Sequence, residues 1–135
     1  MPRPDSWADA PRHVRAAAWA TVFLLTYGTV VHVVQLVAAD LRPYPDLPGW
    51  LRGYFIGLTV LDPLAAVLLA RARRSGAVLA VAVLVTDAAA NGWANVVLDP
   101  SPGVTAGRIG TVVVSALALG LLVLAGRLWR HAGDG

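Results

Sequence analysis

The stretch AVLAVAVLVTDAAANGWANVVL, residues 77 to 98, decides the fold of this chain. As an α-helix it would rise roughly 33 Å, enough to cross the roughly 30 Å of a hydrocarbon core. Similar apolar stretches occupy residues 16 to 39, 51 to 70 and 109 to 128. Their valine content would suit strands, but unbroken apolar runs of this length favour helices, and four strands could not close a membrane barrel. We predict an all-α integral membrane protein, a four-helix transmembrane bundle.

The composition fits one membrane domain and excludes several functions. The chain is 57% hydrophobic and 14% charged, with a mean hydropathy of +0.64. We predict a cytoplasmic N-terminal segment (residues 1 to 15), the bundle (residues 16 to 130) and a C-terminal tail (residues 131 to 135). Lysine, glutamate and cysteine are absent, which excludes a retinal Schiff base, a Glu-x-x-His di-iron site, disulfides and thiolate metal sites. A single intramembrane histidine excludes bis-histidine haem, so we expect no cofactor.

The arginines predict the orientation of the bundle. Eight arginines lie on the side of the termini: Arg3, Arg12, Arg15, Arg71, Arg73, Arg74, Arg127 and Arg130. Three lie on the other side: Arg42, Arg52 and Arg108. By the positive-inside rule both termini are cytoplasmic, in the inner membrane of a cell whose residue usage indicates a bacterium with GC-rich DNA. Because these arginines lie at membrane edges, we expect phosphate headgroups as their partners and no nucleic acid.

The first apolar stretch has a second interpretation, as a cleaved signal peptide. Arginines precede it, and Val37-Ala38-Ala39 resembles a cleavage site. However, the run exceeds the length of an ordinary signal core, and it carries His32 and Gln35, which a cleaved segment would not need. We therefore favour a retained first helix.

Polar residues form a stripe on the third predicted helix. Asp87, Asn91 and Asn95 are spaced by four residues, so they share one helix face. Exposing an aspartate to lipid at mid-depth costs on the order of 3 kcal/mol, so this face should point into the bundle.

The other helices add polar residues at matching depths. Counting at roughly 1.5 Å per residue places Asp62 beside Asp87 near the midplane, with His32, Gln35 and Ser115 further out. We predict a polar pocket in the outer half, floored by the two carboxyl groups and capped by the loop at residues 40 to 48. Two further candidates for ligand binding are Tyr54, at the outer interface, and Thr59, whose carbonyl loses its helical partner at Pro63.

The numbers of basic and acidic side chains at membrane depth indicate what chemistry the pocket could perform. His32 is the only candidate cation at membrane depth, and it can neutralise one carboxylate at most. Since burial and a neighbouring like charge disfavour ionisation, we expect at least one aspartate to be neutral at pH 7. A neutral acid beside a carboxylate allows a proton to be donated and retrieved within one site. A metal held by His32, Asp62 and Asp87 is a weak alternative, and we predict none.

This pattern resembles the EXPERA family of four-helix membrane proteins, which includes sterol isomerases of the emopamil-binding type and the sigma-2 receptor. The resemblance spans about residues 27 to 128. It rests on His32 followed eight residues later by Asp40, a proline-rich outer loop, Pro48-Gly49-Trp50 opening the second helix, Asp62 before Pro63, and the stripe on the third helix.

The resemblance implies a pocket for a sterol-like or isoprenoid lipid, in which an acid protonates an alkene and a base removes a proton from the neighbouring carbon. Asp87 would be the acid, and Asp62 or His32 the base. Residues alone also leave open an accessory subunit that binds a partner helix, a homodimer, and a small proton or ion transporter. Transport would need polar groups through both membrane halves, whereas the inner halves are nearly all Ala, Val and Leu.

Overall fold

The computed structural model describes residues 6 to 134, so Arg3 and the ends of both predicted terminal segments lie outside it. Four long helices follow one another: α1 (Arg12–Ala38), α2 (Gly49–Ala70), α3 (Arg74–Gly92) and α4 (Ala106–His131). A short 3-10 helix (Trp7–Asp9) precedes α1, and a π-helix (Trp93–Leu98) continues α3. The described residues contain no strand, and all four helices are long and apolar enough to cross a membrane, which confirms the predicted fold class.

The helix ends follow local sequence signals. Helix α1 begins directly after Pro11, four residues earlier than predicted, because a proline suits the start of a helix, where no N–H partner is needed. Helix α2 likewise follows Pro48. At the start of α4, the Thr105 hydroxyl accepts a hydrogen bond of 3.2 Å from the Arg108 N–H. Only a tight basic turn separates α2 from α3.

The outer surface of the bundle is apolar. Each helix packs on the next in chain order, while α1 and α4 touch only weakly. Within the most apolar window of each helix, only 11% to 33% of residues are buried. The remaining surface carries exposed residues such as Phe23, Val104 and Val123, an apolar area far larger than soluble monomers tolerate. The chain is therefore a multi-pass membrane protein.

The end of the bundle that carries the termini is tightly closed. Trp7 is only 2% exposed, and its indole Nε1–H donates to the Leu69 carbonyl at 2.7 Å. The Gly133 N–H donates to the Ala72 carbonyl at 2.8 Å, so residues near both chain ends are hydrogen-bonded to the end of α2 and the turn that follows it. We call this arrangement the terminal clasp.

Two further features fix the terminal clasp. The Arg74 guanidinium lies 5.3 Å from the centre of the Trp129 ring and forms an ion pair with Asp134. At Gly76 a side chain would collide with the main chain of Leu68 and Leu69, so α3 crosses the end of α2 at backbone contact. Only glycine permits this approach.

Candidate functional site

A cavity of about 730 Å³ lies between the four helices. It begins at mid-bundle beside Leu24, Asp62 and Leu84, and it extends away from the terminal clasp to the two loops at the other end, where Asp46 and Asp99 line it. We call it the central cavity. Its walls combine apolar side chains with a few polar groups, as ligand sites commonly do.

The central cavity reaches the lipid-facing surface between α1 and α4. Tyr27 of α1 and Val113 of α4 both line the cavity, and both are exposed. These two helices also pack on each other less extensively than the pairs that follow one another in the chain. This side of the cavity therefore belongs to the apolar outer surface of the bundle.

Six of the nine residues singled out in the sequence line the central cavity, and these are His32, Gln35, Asp62, Asp87, Asn91 and Asn95. Three described residues lie elsewhere. The Thr59 hydroxyl donates to the Ile56 carbonyl at 2.7 Å, and Ser115 is exposed on α4. Tyr54 lies outside the lining as well, with its hydroxyl 2.7 Å from Thr86 Oγ1. Because the Thr86 hydroxyl donates to the Ala82 carbonyl, Tyr54 is the donor of this pair.

The stripe on α3 is a connected chain of hydrogen bonds. The Asn91 side-chain amide donates to Asp87 Oδ1 at 2.8 Å and to the Asp87 carbonyl at 3.1 Å. The Asn95 amide donates in turn to the Asn91 carbonyl at 3.0 Å and to Thr111 Oγ1 of α4 at 3.3 Å. Spacing by four residues makes such pairs possible, and Thr111 ties the stripe to the next helix.

Asp62 occupies a different environment at the floor of the cavity. The residue is only 5% exposed, and its carboxyl points across to Gly28 of α1. A Cβ atom at Gly28 would lie 2.7 Å from Asp62 Oδ2, so glycine makes room for the carboxyl. Asp62 and Asp87 both line the central cavity, where the sequence predicted that they form its floor.

A second polar group lies nearer the loop between α1 and α2. The Tyr44 hydroxyl donates to Gln35 Oε1 and lies 3.4 Å from His32 Nδ1. The rings of His32 and Tyr44 both rest on Phe55, with centroid separations of 6.1 and 5.2 Å. Tyr44 thus places a phenol in the cavity from the loop that was predicted to cap it.

Tyr44 has two unusual properties. Its φ of 58° lies in the left-handed region, which a bulky side chain rarely adopts, so tertiary contacts must hold it there. Burial, and secondarily the charge of Asp87, raises the pKa of the Tyr44 phenol above its usual value. The hydroxyl therefore remains a donor throughout the physiological pH range.

The rim opposite the terminal clasp is held together by Arg108. Its guanidinium donates to the carbonyls of Asn95 at 2.9 Å, Asp99 at 3.2 Å and Gly103. A hydrogen bond from Ser101 lowers the pKa of the Asp99 carboxyl, so this rim group is ionised at neutral pH. Arg108 fixes the π-helix that carries Asn95.

His32 is the only basic side chain among the described residues that line the cavity, whereas four carboxyl groups line it, those of Asp46, Asp62, Asp87 and Asp99. Within residues 6 to 134 no three His or Asp side chains come close enough to hold a metal ion. The arrangement is suited instead to positioning a polar group of an otherwise apolar molecule and to moving a proton between carboxyl groups.

Sequence reasoning missed four contributors to the site. Gly28 and Tyr44 depend on contacts between distant segments, and no local pattern marks them. Arg108 was counted only as a membrane-edge charge. Thr111 is one of the buried residues of α4, with Ala118, Leu121 and Leu128, but the nearly uniform apolar sequence of this helix does not mark it.

Comparison with known proteins returns no relative of this chain. No family model, no curated protein and no solved structure matches it. The EXPERA-like resemblance therefore stays a prediction from the residues, and function has to be inferred from the geometry of the central cavity.

Proposed function

We propose that the central cavity binds a sterol-like or isoprenoid lipid and that its two aspartates act as acid and base on a double bond of that lipid. One observation carries the proposal: a cavity of about 730 Å³ lies at membrane depth, has largely apolar walls, and contains two carboxyl groups at its floor. Cavities of 300 to 1,000 Å³ are the usual size for small-molecule sites, so a compact lipid fits the volume.

The walls and the entrance favour an apolar ligand from the bilayer. Leu24, Val31, Phe55 and Val114 give the cavity its apolar lining, and its opening between α1 and α4 faces lipid. A polar metabolite would have to cross hydrocarbon to use this opening, whereas a membrane lipid would already be there. The partition of an apolar molecule into the bilayer also raises its local concentration at the entrance.

The polar groups are suited to two tasks. His32, Gln35 and Tyr44 form a hydrogen-bonding group that can orient a ligand hydroxyl. Deeper in the cavity, Asp62 and Asp87 can exchange one proton with carbon atoms of a bound alkene, which is the acid and base chemistry that double-bond migration needs.

Transport receives less support from the packing. In the half of the bundle that holds the terminal clasp, the buried core of the described residues is apolar except for Thr21, whose hydroxyl donates to the Ala17 carbonyl at 2.8 Å. Trp7 closes that end, and its side chain is nearly inaccessible. Beyond Asp62, a proton or ion would meet no charged side chain in the buried core of the described residues, and Thr21 alone would offer a polar group there.

Photolabelling tests the proposal directly. A photoactivatable sterol and a photoactivatable isoprenoid alcohol are offered to purified protein in nanodiscs, and crosslinked residues are mapped. Labelling should fall on cavity residues and be lost in Gly110→Leu, because Gly110 lines the cavity and has open space around its Cβ position.

Gly57→Leu is the matched control, since Gly57 also has open space around it but does not line the cavity among the described residues. Equal labelling of both variants would overturn the proposal. Recovery of a stoichiometric membrane protein in place of a bound lipid would support the partner-binding alternative instead.

A further inference from the structure

The hydrogen bonds on α3 differ from those around Asp62, and the difference bears on where the proton of the pair resides. The Asn91 amide nitrogen approaches two acceptors, the Asp87 carbonyl at 3.1 Å and Asp87 Oδ1 at 2.8 Å. A flipped amide would set its oxygen against the main-chain carbonyl, two acceptors facing each other. The main chain therefore fixes the amide orientation, and Asp87 Oδ1 accepts a hydrogen bond.

The Asn91 amide, which donates to Asp87, is supported by further hydrogen bonds between α3 and α4. Asn95 bonds to the Asn91 carbonyl at 3.0 Å and to Thr111 Oγ1 at 3.3 Å. Thr111 is itself anchored on the Gly107 carbonyl at 2.9 Å, and a side chain at Gly107 would collide with Asn95. Asn91 therefore presents its donor to Asp87 without having to reorganise, which stabilises negative charge on that carboxyl.

Asp62 has no comparable donor. Its carboxyl oxygens have no hydrogen-bond partner among the described residues, and they face Gly28 and the cavity. Leu25 and Leu58, which are fully buried, lie one helical turn away on α1 and α2. An ionised Asp62 would have no protein donor to stabilise its charge on the cavity wall, which disfavours the ionised form.

The other titratable groups near the pair do not reverse this difference. From α1 comes His32, which lies against Tyr44 and Phe55. From α2 comes Tyr54, whose proton is donated to Thr86. The lining that α4 contributes is made of glycine and valine, without a titratable group in the described residues.

We propose that Asp62 holds the proton of the pair, that Asp87 is the carboxylate, and that Asn91 is the positioning residue that sets this difference. The roles are then opposite to those implied by the family resemblance. Asp62 gives its proton to one alkene carbon and becomes a carboxylate. Asp87 removes a proton from the carbon next to the resulting cation and becomes the acid. Transfer of that proton from Asp87 to Asp62 restores the starting state, with no other reactant.

The catalytic meaning of this assignment rests on the proposed function, but the assignment itself can be tested without a ligand. The chain has eight aspartates and no glutamate, so infrared spectra of protein labelled with ¹³C-aspartate report a small set of carboxyl groups. At pH 7 a protonated carboxyl gives a carbonyl band that is well separated from the carboxylate bands. We expect one such band in the wild type, present in Asp87→Asn and absent in Asp62→Asn.

Asn91→Ala provides a second readout that does not depend on removing a carboxyl. Loss of the charge-stabilising donor should move the pH midpoint of Asp87 ionisation upward by about one pH unit, whereas Ser115→Ala, exposed on α4, should leave it unchanged.

A band that disappears in Asp87→Asn but persists in Asp62→Asn would overturn the proposal, as would a wild type without a protonated carboxyl. An unchanged midpoint in Asn91→Ala would remove Asn91 from its role. A protein that binds no lipid but shows the expected bands would refute the proposed function alone.

Discussion

Gly28→Ala separates the function of the central cavity from the stability of the bundle. The added Cβ would lie 2.7 Å from Asp62 Oδ2, where ordinary contact begins near 3.4 Å, so the carboxyl must retreat by about 0.7 Å. Because this oxygen is at the end of a side chain, the retreat needs only a small rotation, which costs about 1 kcal/mol. Alanine improves helix propensity by about 1 kcal/mol, so the two effects nearly cancel.

We expect Gly28→Ala to weaken ligand binding or turnover without lowering the stability of the fold. A displacement of this size at a reacting group is enough to weaken binding or turnover by about tenfold, since a shift near 1 Å can cost a hundredfold. The assay measures retention of the photoactivatable lipid beside the apparent Tm in detergent. Gly110→Ala is the matched control, because Gly110 also lines the cavity but has no atom within 4 Å of its Cβ position. Equal retention in Gly28→Ala and Gly110→Ala, with both proteins folded, would refute the reasoning.

Three further predictions concern the terminal clasp and the loop. Gly76→Ala should destabilise the protein by about 1 to 3 kcal/mol, because the side chain meets main-chain atoms that cannot rotate away, whereas Gly126→Ala, which enters open space, should not lower the apparent Tm. Trp7→Phe removes the hydrogen bond of 2.7 Å to Leu69 and should cost about 1 kcal/mol in the same melting assay; an unchanged Tm would mean that Trp7 is not docked. Because its pKa is raised in the folded protein, the Tyr44 phenol contributes stability that is fully present below about pH 10 and is lost as the pH rises further, so the wild type should lose Tm more steeply than Tyr44→Phe above pH 10; parallel curves would contradict this.

Local patterns in the sequence predicted what depends on local physics. The four membrane helices follow from the length of the apolar runs, since no other structure satisfies a backbone in hydrocarbon at that length. The stripe of Asp87, Asn91 and Asn95 follows from helical spacing, and its internal hydrogen bonds run between residues four apart. Helix ends differ by a few residues because capping by Pro11 and Thr105 extends α1 and α4 beyond their apolar cores.

Features that depend on distant contacts could not be predicted in this way. Tyr44 enters the cavity because its backbone is held at positive φ by contacts with α1 and α2. The π-helix that ends α3 is held by Arg108, which is remote in sequence from Trp93. Ser115 was expected in the pocket, but it is exposed on α4, and Thr111, one turn earlier, is the α4 residue that bonds to Asn95.

The central claim is that the cavity holds a lipid and that its carboxyl groups participate in holding it. Native mass spectrometry of gently solubilised wild type, compared with Asp87→Asn and with Ser115→Ala as the control, tests this claim most directly. We predict an adduct with the mass of a small apolar lipid on the wild type and the control, lost or strongly reduced on Asp87→Asn. Wild-type protein that carries no adduct, or an adduct that is equally abundant on all three proteins, would contradict the account.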